Sequence, residues 1–222
     1  KSKPNPNLRS GKYYYRMFAA TILETEQWEK AKQLVPPEGW KPKTFSKAGY
    51  SFVRGYAAAM QGSSEAKKYS SELKAIREKG FSKNHFSRSE YLEVWDLEIK
   101  VAIKLYEKDY DAAIQLAKQA TLVEEKLPSP TGPPRILKPT YELLGEAYLK
   151  AGKPKKAKEQ FTISLARHPN RIRSLIGAAR SAKLDGDEIT AKESYLQILS
   201  ILKNADSGFS ALKEAKTFIK SL

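Results

Sequence analysis

An all-helical solenoid of antiparallel helix pairs is the fold this sequence predicts, and three observations predict it. The stretch YELLGEAYLKAGKPKKAKEQFTISLARHP, from Tyr141, matches the chain 34 residues further on: Gly152 falls on Gly186, Ala157 on Ala191, Phe161 on Tyr195 and Leu165 on Leu199. Within it, Tyr141, Leu144, Gly145 and Tyr148 recur at three and four residues, the spacing of one helical face. Ala, Leu, Lys and Glu dominate the composition, with only 12 glycines and 12 prolines in 222 residues, and these four lose little on entering a helix. A helix pair repeated at this period cannot bury its apolar face alone and must stack on its neighbours.

The elements follow in chain order. Over residues 1–86 the stretches from Tyr13 (YYYRMFAATILETEQWEKAKQL) and from Tyr50 (YSFVRGYAAAMQGSSEAKKYSSELKAI) predict two degenerate hairpins. Each has small residues in its first helix, a polar turn, and an alanine, Ala31 or Ala66, early in its second. Between them residues 36–48 read as a loop whose Trp40 and Phe45 cover the hairpin ends. Residues 87–126 predict a further pair, with Ser87 and Glu90 as a capping box and Ala113, Ala117 and Ala120 at the small positions of the second helix. Residues 127–139, LPSPTGPPRILKP, hold five prolines, which forbid a helix and favour an extended course. We read this segment as a loop on the solenoid edge, with Ile136 and Leu137 packing beside the next helix.

Residues 138–204 carry two repeat units. Gly145 inside a helix costs about 1 kcal/mol against alanine, so it predicts close approach of a second helix. Gly152 ends the first helix and Pro154 opens the second, whose inner face is Ala157, Phe161, Ser164 and Leu165 before Pro169 ends it. The next unit keeps sizes at Leu175, Ala178, Ala179, Ala182, Ala191, Tyr195 and Ile198. Residues 205–222 predict a capping helix with Phe209, Leu212, Ala215, Ile219 and Leu222 inward and Lys213, Glu214, Lys216 and Lys220 outward. The chain opens at Lys1, and aromatic residues at Tyr13 to Tyr15 suggest an open helical edge, so further repeats are expected to precede it.

Tyr141, Leu144, Gly145, Tyr148, Ala157, Phe161 and Pro169 together resemble the tetratricopeptide repeat, Ser164 being small but polar where alanine is usual. The second half also resembles a bacterial group of longer tetratricopeptide proteins. The resemblance implies a right-handed superhelix acting as a protein-binding scaffold, in which the first helix of each repeat lines a concave groove. The matching positions are Glu142, Glu146 and Lys150 in one unit and Arg173, Arg180 and Lys183 in the next. Family members that clasp chaperone C-termini place an asparagine where Glu146 stands, so that ligand class is not expected.

Arg173 and Arg180 lie seven residues apart, close to two turns, and Lys183 one turn further on, so the three share a face. Three cations there would draw an acidic peptide, and Gly177 between them would let its backbone come close. The net charge of +15 and pI near 9.7 also suggest an acidic partner. A basic solenoid binding nucleic acid is the second reading, with Tyr13, Tyr14 and Tyr15 beside Arg9, Lys12 and Arg16 as its stacking surface.

Other chemistries lack their residues. Without cysteine there is no thiolate nucleophile or cysteine-ligated metal site, and His85 and His168 are too few and too far apart for a histidine-based one. Glu124 with Glu125, and Asp185 with Asp187, fall at helix ends where solvated carboxylates are ordinary. No cofactor, metal, catalytic residue or small-molecule substrate is expected. The longest apolar run, Phe52 to Met60, is short of the roughly 20 residues a membrane span needs and is broken by Arg54. No targeting segment is visible, and a cytoplasmic or a periplasmic setting is expected.

Overall fold

The structure, a computed structural model, describes residues 8–35, 44–79, 86–128, 135–205 and 209–221. Trp40, His85 and most of the proline-rich segment lie outside the described residues. Among those described, the chain forms ten α-helices and one 3-10 helix and no strand. By its packing it divides into two compact units, Lys1–Lys138 and Pro139–Leu222, the division falling at the end of the proline-rich segment.

The first unit contains α1 (Leu8–Thr25), a 3-10 helix (Trp28–Gln33), α2 (Thr44–Met60), α3 (Glu65–Glu78), α4 (Phe86–Tyr106) and α5 (Tyr110–Glu124). The pairs α2–α3 and α4–α5 are antiparallel hairpins, and both α2 and α3 pack on α4. Aromatic rings make the contact: Phe52 stacks on Trp95 at 5.5 Å and Phe45 lies 5.2 Å from the same indole. Arg135 closes this cluster, its guanidinium 5.3 Å from the Phe45 ring and 5.2 Å from that of Tyr91.

Three expectations are corrected here. The second arm of the first hairpin is a single 3-10 segment that still buries Ala31, because Pro36 and Pro37 leave no room for a longer helix. The loop expected over 36–48 ends sooner, since α2 begins at Thr44 and Phe45 is a helical residue packed into the aromatic cluster. Helix α4 begins at Phe86, so Ser87 lies within its first turn and is not its cap.

The second unit contains α6 (Thr140–Lys150), α7 (Pro154–Arg167), α8 (Ile172–Asp185), α9 (Glu188–Ile201) and α10 (Ser210–Lys220). Helices α6–α7 and α8–α9 are hairpins, α7 packs on α8, and α10 packs on α9. Both hairpin turns end the first helix on a left-handed glycine, Gly152 at φ 69° and Gly186 at φ 77°. The carbonyls of the last turn are satisfied by the residues that follow, with Lys153 N–H donating to Tyr148 at 3.0 Å and Asp187 N–H to Ala182 at 2.9 Å. Pro154 opens α7 and Asp187 caps α9 by accepting from Thr190 N–H at 3.0 Å.

The Phe161 ring is fully buried between two glycines. A Cβ placed on Gly145 would stand 2.9 Å from it, and one on Gly177 only 2.2 Å. Gly145 therefore permits the close approach its sequence position predicts. Gly177 does not admit a ligand backbone, as expected from sequence, because Phe161 already occupies the space its missing side chain leaves. Beyond it, Leu175, Ile176, Ala179, Tyr195, Ile198, Ala215 and Phe218 form the core shared by α8, α9 and α10. Among the described residues no helix is long and apolar enough to cross a membrane.

Candidate partner-binding cleft

The first helices of the second unit's hairpins carry the six groove positions read from the sequence, and the structure treats them unequally. Glu142 is fully buried. Its carboxylate accepts from Arg171 Nε at 2.6 Å and Nη2 at 3.1 Å, and from Ser174 Oγ at 2.7 Å, while Ser174 also meets Ser164 Oγ at 2.9 Å. That network joins α6, α7 and α8 and leaves Glu142 no surface on which to meet a partner. The polar Ser164, out of pattern as an alanine position, is explained by it.

Glu146 and Arg173 are brought together at 3.6 Å, both largely covered. Arg180 lies on the same helix as Arg173 and is half-exposed. It donates from Nε and Nη2 to the Glu214 carboxylate at 2.9 and 2.6 Å, a two-point pair, and Tyr195 donates to Glu214 at 2.8 Å. Glu214, expected on the outer face of the capping helix, is therefore turned inward. Burial pushes its carboxyl up, but hydrogen bonds from Arg180 and Tyr195 outweigh burial and hold it below the ordinary value. The same contact raises Arg180, and burial with the Glu214 bond raises Tyr195.

Lys183 is exposed, its ammonium 5.4 Å from the Phe218 ring centre, and Lys150 is exposed at the end of α6. Lys183 and Arg180 line an open cleft of about 650 Å³ between α8 and α10. Its apolar strip is Leu149 from α6, Leu184 from α8 and Phe218 from α10, and Lys213 stands on the α10 side. Leu184 is 67% exposed, so its side chain can be covered by a partner. Arg180, Lys183 and Lys213 against Glu214 leave the cleft positively charged.

Leu149, Leu184, Lys213 and Phe218 were not among the sequence-derived site residues. The 34-residue period held a signal for part of this: Glu146, Arg180 and Glu214 follow one another at that step with alternating charge. Asp185 and Asp187 do structural work, pairing with Lys158 at 3.6 and 2.9 Å. In the first unit Tyr15 is buried against Tyr50, 5.1 Å between rings, while Tyr13 and Tyr14 are exposed, so the three tyrosines do not form one stacking surface.

No protein-family model matches the chain, and no curated protein matches it. Among solved structures, a chain described as a Podosopora anserina kinesin light chain with nearly identical TPR-like repeats is 20% identical. It covers 92% of this chain and 100% of its own at a TM-score of 0.47. A point mutant of MamA is 15% identical over 87% of this chain and 97% of its own, at 0.42. MamA from MSR-1 is 12% identical over 88% and 98%, at 0.45. The helix-pair fold itself rests on the packing described above.

Proposed function

We propose that this protein is a non-catalytic scaffold that binds an extended, acidic and partly apolar segment of another protein in the cleft between α8 and α10. The observation that carries the reading is the apolar lining of Leu149, Leu184 and the largely covered Phe218, of which Leu184 is the exposed part, bordered by Lys183 and Lys213. An apolar side chain of the partner would cover the strip, and flanking carboxylates would meet the two lysines and set its direction. Glu142, Glu146 and Arg173 hold the helices that carry the cleft; Arg180, already engaged by Glu214, shapes its wall.

Selection of displayed twelve-residue peptides against the whole chain tests this. Binders should combine Asp or Glu with Leu, Ile or Phe, and their affinity should fall only modestly between 50 and 200 mM salt. A loss of roughly a thousandfold over that range, with no peptide enriched, would instead mark phosphate-backbone binding and contradict the proposal.

A further inference from the structure

A separate cleft of about 420 Å³ opens in the first unit, between the 3-10 helix, α2 and α3. Its size falls within the range of small-ligand pockets. Arg54 reaches it from the middle of the alanine-rich helix α2, and Lys32 reaches it from the 3-10 helix. The Arg54 Nε is buried without a hydrogen-bond acceptor, and among the described residues no carboxylate pairs with either cation. The Nε itself is closed off from the cleft, so it is the charge of Arg54, with no carboxylate against it, that favours an anion in the cleft it lines.

The remaining walls say what kind of acceptor. Ala57 and Ala58 form a floor with no side chain beyond Cβ, which leaves room over α2 for a flat group. Trp28, tilted on the buried Tyr56 ring at 5.7 Å between centres, and Tyr69 from α3 supply aromatic walls. Among the described residues Glu65 is the one acid lining the cleft, so against Lys32 and Arg54 it leaves a single net positive charge.

We infer that this cleft binds a small aromatic monoanion, a carboxylate on a flat ring, with the acid group on Arg54 and Lys32 and the ring against Trp28 and Tyr69. The site is independent of the cleft in the second unit and of its peptide.

Calorimetric titration of the full chain with 3-phenylpropionate tests it. The expected result is saturable one-to-one binding at about 1 mM or tighter, a strength in keeping with a ligand of this size. The uncharged 3-phenylpropionamide and inorganic phosphate should each bind at least tenfold more weakly, since one lacks the charge and the other the ring. Arg54→Met should weaken 3-phenylpropionate about tenfold or more. Lys32→Gln should weaken it and Glu65→Gln tighten it several-fold; both positions are exposed, so these variants test the site even if Arg54→Met is poorly folded. Equal binding of acid and amide, equal binding of phosphate, or indifference to both Lys32→Gln and Glu65→Gln overturns the assignment.

Discussion

Glu142 is a charged side chain with no solvent exposure, and its carboxylate ties α6 to the start of α8. Taking a carboxylate out of water is expensive, and here Arg171 and Ser174 offset that cost. Glu142→Ala should therefore destabilise the protein by about 3–5 kcal/mol, because it strands the guanidinium of Arg171. Joint replacement as Glu142→Leu with Arg171→Met should recover most of the loss, and denaturant melts of the three variants check both statements. The two glycines of α6 and its turn make a second contrast. Gly145→Leu would drive a side chain into the Phe161 ring and should cost at least the roughly 1–3 kcal/mol typical of overpacking. Gly152→Asn meets nothing within 4 Å and keeps a left-handed backbone that asparagine tolerates, so its melting temperature should barely change. Equal losses would count against the register of the helix pair. The role of Gly145 was legible in the sequence, since a helical glycine needs a packing reason. The role of Gly177 was not, because nothing in the local pattern says that Phe161, from a neighbouring helix, claims both openings.

Helix pairs declare themselves where their turns are conventional and hide where they are not. Gly152 and Gly186 mark two turns plainly, whereas the α4–α5 turn has the same left-handed geometry at Lys108, φ 61°, with Asp109 N–H donating to Lys104 at 2.9 Å. The side chain of Asp109 then caps α5 by accepting from Ala112 N–H at 3.3 Å. Periodicity located α10, yet the outward side assigned to Glu214 was wrong because Arg180 and Tyr195, on other helices, draw it in. The cap of α9 gives an element-scale prediction. Bonds from Lys158 and the Thr190 N–H hold the Asp187 carboxyl at about 2, against an ordinary 3.8. A group lowered in the folded state adds stability above about pH 4 and loses it as pH falls toward its folded value. Glu214 is lowered too and acts in the same direction. Thermal melts should thus drop between about pH 5 and pH 2, and Asp187→Asn should flatten part of that fall. An unchanged slope in the variant would mean that other carboxylates carry the acid sensitivity.

For the whole molecule, the charge of +15 speaks to association and not to fold. Of the three cations assigned to one face from spacing alone, Arg173 and Arg180 are engaged by Glu146 and Glu214 within the fold. Lys183 is exposed beside an apolar strip, with Lys213 across from it. The sequence could place the helices that form the cleft but not its apolar lining, because that lining comes from three helices whose packing no single period encodes. Reversal at Arg173 or Arg180 would disturb ion pairs as well as binding. Neutralising the exposed lysines removes their charge without setting a new carboxylate beside Glu214. The decisive measurement is the affinity of an acidic, partly apolar peptide, selected against the whole chain, for the native protein and for the double variant Lys183→Gln, Lys213→Gln. At least a tenfold loss of affinity is expected, about 1.4 kcal/mol or more, with the circular dichroism spectrum and melting temperature preserved. Equal affinity in the two proteins would contradict it and move the binding surface away from the α8–α10 cleft.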